Sequence, residues 1–73
     1  MQIAAFRKDV LNISQEEFAK LLGLKSKSHI SDIERVNRCS PKVALDIERL
    51  SNGAISAEQI SPAVKLVRRQ AAA

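Results

Sequence analysis

A chain of 73 residues has room for one hydrophobic core and sits near the lower size at which such a core is stable alone. With 45% hydrophobic and 27% charged residues it reads as globular rather than disordered, and its only aromatics are Phe6 and Phe18, so the core must come from Leu, Ile, Val and Ala. The formal charge is +4, and one His, one Cys and no paired acidic cluster leave little from which to build a general acid–base site, so an enzyme is not expected.

Ile3, Phe6 and Val10 recur at helical spacing and predict a first helix from about residue 2 to 10. Ser14-Gln15-Glu16-Glu17 has the spacing of a capping box, in which Ser14 accepts from the Glu17 N–H and the Glu17 carboxylate reaches back to Ser14. Ile13 and Phe18 occupy the hydrophobic staple positions of the same start. The second helix then runs from Gln15 to Leu22 and meets Gly23, which can take the positive φ that ends a helix. Ser26 is the expected N-cap of a third helix reaching about Val36, with Ser28 as the alternative cap.

Ser40-Pro41 predicts a fourth helix, cap followed by proline in the first turn. It places Val43, Ile47 and Leu50 on one face before Ser51-Asn52-Gly53 stops it. Ser56-Ala57-Glu58-Gln59 has the form of another capping box and Ser61-Pro62 of another helix start, which puts Ile60, Val64 and Val67 on a shared face. A strand from Ala54 to Ile60 competes with this, on the β-branched Ile55, and helix is favoured. Ala71 to Ala73 reads as a frayed end.

Two short helices joined by a glycine turn describe a helix-turn-helix, whose second helix enters the major groove of DNA while the first crosses the backbone. The packing asks for a small residue in the first helix, a glycine at the turn and two apolar residues holding the second helix down. Ala19, Gly23, Ile30 and Ile33 supply these. At about 100° per residue, Ile30 and Ile33 define a buried side, and Ser28, Ser31, Asp32 and Arg35 fall on the opposite arc. That arc is small, polar and able to hydrogen-bond base edges. Arg35 suits either a DNA contact or a pair with Asp32 three residues earlier, and the pair is the expected state of the free protein.

Charge follows a compatible pattern. Residues 24–42 carry five basic side chains against Asp32 and Glu34, residues 43–64 are net acidic, and Lys65, Arg68 and Arg69 close the chain with no acid. A polyanion partner explains this distribution, as does an ordinary solvated surface.

The run SQEEFAKLLGLKSKSHISDIE, residues 14–34, resembles the helix-turn-helix of Cro/repressor-type regulators, and SPKVALDIERLSNG resembles their fourth helix. The short form, with AISAEQISP after it, is most similar to prophage Cro-like and YdaS-like proteins. One departure stands out: Gly23 precedes Ile30 by seven positions where the family has six, which lengthens the turn around Lys25 if Ser26 is the cap. The resemblance implies an all-α, lambda-repressor-like bundle of about five short helices, with a DNA-binding core over 1–53 and a C-terminal segment over 54–73. It also implies that Lys27, Ser28, Ser31 and Asp32, with Arg35, face bases, and that Gln15, Lys25, Asn37, Arg38 and Lys42 contact phosphates.

The implied function is sequence-specific binding of double-stranded DNA in transcription regulation, as a Cro-like repressor. A homodimer is the first expectation, because such dimers read two half-sites about one DNA turn apart. Ile55, Ile60, Val64, Leu66 and Val67 exceed the needs of a four-helix core, which supports a contact with a second copy or, in the antitoxin-type alternative, with a toxin or other protein. No cofactor is expected, and His29 with Cys39 falls short of a metal site. A lone Cys39 forms no intrachain disulfide, and no apolar run approaches the roughly 20 residues of a membrane span, so a cytoplasmic location is expected.

Overall fold

A computed structural model describes residues 1–67. Among them every regular element is helical: α1 (Ile3–Ala5), continued by a π-helical stretch (Phe6–Leu11), then α2 (Gln15–Leu21), α3 (Lys27–Val36), α4 (Pro41–Leu50) and α5 (Ala57–Ile60). A last helical turn covers residues 64–67. Contacts divide the chain into two units, Met1–Asn37 and a second beginning at Arg38.

In the first unit the opening helix departs from its expected face. From Phe6 onward the backbone widens, and the Asn12 N–H closes an i→i+5 bond on the Arg7 carbonyl. Asn12 then turns left-handed at φ 54°. Each residue of a π turn advances by less than an α-helical step, so Val10 falls short of the buried side and is left 56% exposed. Arg7 is buried in its place. The expected stripe of Ile3, Phe6 and Val10 is thereby corrected to Ile3, Phe6 and Arg7.

The start of α2 is built as the sequence predicts. The Glu17 N–H donates to Ser14 Oγ at 3.1 Å, and the Ser14 N–H donates to Glu17 Oε1 at 3.2 Å. Its end is a Schellman closure: Gly23, at φ 73°, donates to the Lys20 carbonyl, and Leu24 donates to that of Ala19 at 2.8 Å. Ser26 is the N-cap residue of α3, although its side chain makes no capping bond. The longer turn is therefore absorbed before Lys27, and Ile30 and Ile33 are both buried. α2 packs closely on α3, with Phe18 and Ala19 as its buried residues and Leu22 buried at its C-cap.

In the second unit Ser40 Oγ accepts from the Val43 N–H at 3.5 Å, with Pro41 in the first turn of α4. Val43, Ala44 and Ile47 are buried and Leu50 half-buried. A second Schellman closure ends α4, with Asn52 in the left-handed position (φ 52°) and Gly53 donating to the Glu48 carbonyl at 2.9 Å.

The segment after α4 is helical and not a strand, but its expected capping box does not form. Ser56 makes no side-chain cap, and the Ala57 N–H instead donates to Glu48 Oε1 at 3.0 Å. The Ile55 N–H donates to Ser51 Oγ at 3.1 Å, so Glu48 of α4 and its C-cap residue Ser51 supply the acceptors for this segment. Ile55, Ile60 and Val64 are essentially inaccessible, whereas Leu66 and Val67 are exposed. The surplus of apolar residues read from the sequence is thus corrected to two, since the other three are spent on the interior of the fold. The expected frayed end, with Arg68 and Arg69, lies outside the described residues.

Candidate nucleic-acid interface

α3 has two sides because its buried residues are only three apart. Ile30 and Ile33 face inward, and Lys27, Ser28, Ser31, Asp32 and Arg35 are all exposed. Taking about 100° per residue, Ser28 and Arg35 lie within about 10° of the point opposite the buried pair, with Ser31 and Asp32 some 50° to either side. No large apolar side chain interrupts this arc. Arg35 Nη2 donates to Asp32 Oδ1 at 3.3 Å, the intrahelical pair expected of the free protein.

Lys25 is exposed in the turn before α3. A surface hollow of about 270 Å³ opens beside it, lined by Lys20, Lys25 and Lys27 together with Glu16, Ala19, Leu24 and Ser26. A second hollow, of about 390 Å³, is lined by Arg7, Ser14, Gln15, Glu16 and Lys27. Lys27 borders both, so the start of α2 and the start of α3 present basic and amide groups to the same stretch of surface.

Gln15 is half-buried, and its Nε2 donates to Glu34 Oε1 at 3.1 Å. An amide nitrogen carries two hydrogens, so this bond orients the group and leaves a second hydrogen that can meet an external acceptor. Asn37 ends α3 in the left-handed region at φ 55°, with its Oδ1 accepting from the Ile3 N–H at 3.0 Å. The first unit therefore carries Gln15, Lys25 and Asn37 together with Lys27 and the four residues of the exposed arc. Arg38 and Lys42 are exposed residues of the second unit, Lys42 in the first turn of α4.

Arg7 and Glu34, whose side chains are only 9% and 8% exposed, lie outside the residues expected from the sequence. Arg7 donates through Nε and Nη2 to the two Glu34 oxygens, and through Nη1 to the Ile13 carbonyl at 2.9 Å. Burial pushes the Glu34 carboxyl upward. Hydrogen bonds from Arg7 and Gln15, with the charges of Arg7 and Lys8, outweigh it and hold the group below its ordinary 4.5. A signal for the pair existed: each charge stands four residues after a buried isoleucine, Arg7 after Ile3 and Glu34 after Ile30. Two opposite charges on two apolar stripes are candidates for one buried pair.

His29 is exposed, and among the described residues no group of three or more His, Cys, Asp or Glu is placed to hold a metal ion. Burial pushes the Cys39 thiol up to about 11, so it is protonated at neutral pH. No helix of the described residues is long and apolar enough to cross a membrane.

With the two-helix geometry in place, a family model described as helix-turn-helix matches residues 3–51, which is 49 of the 73 residues. The chain belongs to the helix-turn-helix family. This is a family of DNA-binding regulators, and the match takes in α1 through α4. Comparison with curated proteins and with solved structures gives no match. The matched span includes both α2 and α3, and residues 52–67 continue beyond it.

Proposed function

We propose that this helix-turn-helix protein is a sequence-specific regulator of transcription, a Cro-like repressor that binds double-stranded DNA by laying α3 in the major groove. The observation that carries the reading is the exposed arc of α3: four polar or charged side chains opposite Ile30 and Ile33, with Lys27 exposed at its flank, on a helix backed by α2. Lys27, Ser28, Ser31, Asp32 and Arg35 meet base edges, where hydroxyl, carboxylate and guanidinium groups each match a different donor and acceptor pattern. Gln15, Lys25, Asn37, Arg38 and Lys42 contact phosphates, which fixes position without reading sequence.

Gln15 supports this division of labour. Its amide is held by Glu34, so the second amide hydrogen is pre-oriented for a phosphate oxygen without loss of side-chain freedom on binding. A homodimer follows from the need to read two half-sites. The antitoxin-type alternative draws on Leu66 and Val67, adjacent apolar residues left exposed at the end of the described chain.

The test is selection of sites from a randomised duplex library at about physiological salt, where contacts to phosphate alone are weakened. A palindrome with half-sites about one helical turn apart is the expected result. Binding that enriches no sequence and disappears as salt rises would leave only a basic surface.

A further inference from the structure

The exposed arc of α3 holds one acid, Asp32, and near its centre one base, Arg35. We infer that the two act as a single reading unit that selects a guanine–cytosine pair in each half-site, an inference that rests on the DNA-binding reading above. Arg35 Nη2 donates to Asp32 Oδ1 at 3.3 Å, with the side chains 74% and 69% exposed. This is longer than the roughly 2.7–2.9 Å of a strong charge-assisted bond, and an exposed pair at this spacing adds little to stability. The pair is therefore not what holds α3. It engages one of the five guanidinium donors and leaves the rest of the fork directed to solvent.

The chemistry of the couple matches one base pair better than any other. Guanine presents N7 and O6 side by side as acceptors, which a guanidinium meets with two parallel bonds, and cytosine presents its N4 donor, which a carboxylate accepts. Arg35 and Asp32 together supply both complements. Adenine places a donor beside its N7, so an A·T pair turns a hydrogen of adenine N6 toward the guanidinium.

Charge points the same way. Asp32 alone would face the phosphates as a repulsive group, whereas paired with Arg35 it is neutralised and contributes selection rather than affinity. Asp32 has two parts here, one oxygen holding the Arg35 fork and the other accepting from cytosine. Arg35 lies seven residues beyond Ser28 on the same arc, about 10 Å along the helix, so its base pair is distinct from the one met by Ser28.

The experiment is site selection at about physiological salt with the wild-type chain and with Arg35→Lys, Asp32→Ala and Asp46→Ala. Arg49 Nη2 and Asp46 Oδ1 form a pair of the same spacing on α4 at 3.1 Å, so Asp46→Ala serves as the control for loss of such a pair outside α3. The wild-type motif is expected to contain a G·C pair whose preference falls by roughly 5- to 150-fold in Arg35→Lys, because an ammonium keeps the charge but not the two-pronged fit. Asp32→Ala should weaken preference at that same position, and Asp46→Ala should leave the motif as it is. Enrichment at the remaining positions reports that each variant is folded. A wild-type motif in which Arg35→Lys alters no G·C position overturns the inference while leaving the DNA-binding reading in place, as does an Asp32→Ala motif identical to the wild type. A wild-type chain that enriches nothing overturns both.

Discussion

Glu34→Ala is expected to destabilise the chain by about 3–5 kcal/mol, because it leaves the Arg7 guanidinium buried without its counter-charge. The same change removes the acceptor of Gln15 Nε2. Stability of roughly 0.05–0.15 kcal/mol per residue gives about 4–11 kcal/mol for 73 residues, so this one carboxylate accounts for a large share of the total. Urea unfolding followed by far-UV circular dichroism measures the loss directly. With a slope near 1 kcal/mol per molar for a chain this small, the midpoint should fall by about 3–5 M or the variant should start unfolded. The double variant Arg7→Met with Glu34→Leu should recover part of the loss, since no charge is then stranded, but not all of it, since the Ile13 carbonyl loses its Arg7 donor. Acid supplies an independent check. The Glu34 carboxyl is held below its ordinary 4.5 in the folded chain, so as pH falls the unfolded chain takes up the proton first. Its contribution is complete above that value and is lost as pH drops through the lower, folded value. Glu34→Gln should flatten this acid limb. A Glu34→Ala cost under about 1 kcal/mol would place the pair with ordinary surface ion pairs and refute the reasoning from burial.

Three other outcomes follow from the interface and the turn. Arg38→Ala should weaken binding to every sequence and reduce the slope of log K against log salt by about 0.9, as loss of one phosphate contact does; a salt titration of the binding constant measures it. Ser31→Ala should change preference at one base position by roughly 1–3 kcal/mol, read as an altered selected motif, with nonspecific affinity little moved. Gly23→Ala meets no atom within 4 Å of an added Cβ, so its cost should be only that of the positive φ, about 1–2 kcal/mol in a thermal or urea melt.

The helical elements were legible in the sequence wherever a boundary is made by neighbouring residues. Ser14 with Glu17, Gly23, and Ser40 with Pro41 act within one turn, and each does what its residue type dictates. Legibility failed where the partner is distant in sequence. Ser56 resembles a cap, yet Glu48, eight residues earlier, takes the N–H of Ala57. Val10 fits a 3.6-residue stripe, yet the chain widens after Phe6 and turns Arg7 inward toward Glu34, 27 residues away. Helical periodicity assumes a constant step per residue, and the widened turn over Phe6–Leu11 breaks that step just where Arg7 meets Glu34. On the candidate interface, the exposed arc of α3 follows from the spacing of Ile30 and Ile33 alone, while the anchoring of Gln15 by Glu34 and of Asn37 by the Ile3 N–H does not, because both bonds span many residues.

Those two anchors tie stability to the proposed DNA contacts. Glu34 accepts from Arg7 and Gln15 at once, so the carboxylate that keeps the arginine neutralised also sets the direction of an amide at the start of α2. Asn37 ends α3 and holds the start of α1 with the same side chain. A carboxylate buried in a small chain gains little for stability over a well-packed apolar pair. Its value lies in orientation, since hydrogen bonds fix an angle and apolar contact does not. The arrangement makes sense if the register of α2 against α3 has to be kept while a polyanion pulls on Gln15 and Lys27, and the double variant of Arg7 and Glu34 separates the two roles. If orientation is what the network supplies, that variant should regain stability without regaining the full affinity of the parent chain for its selected site.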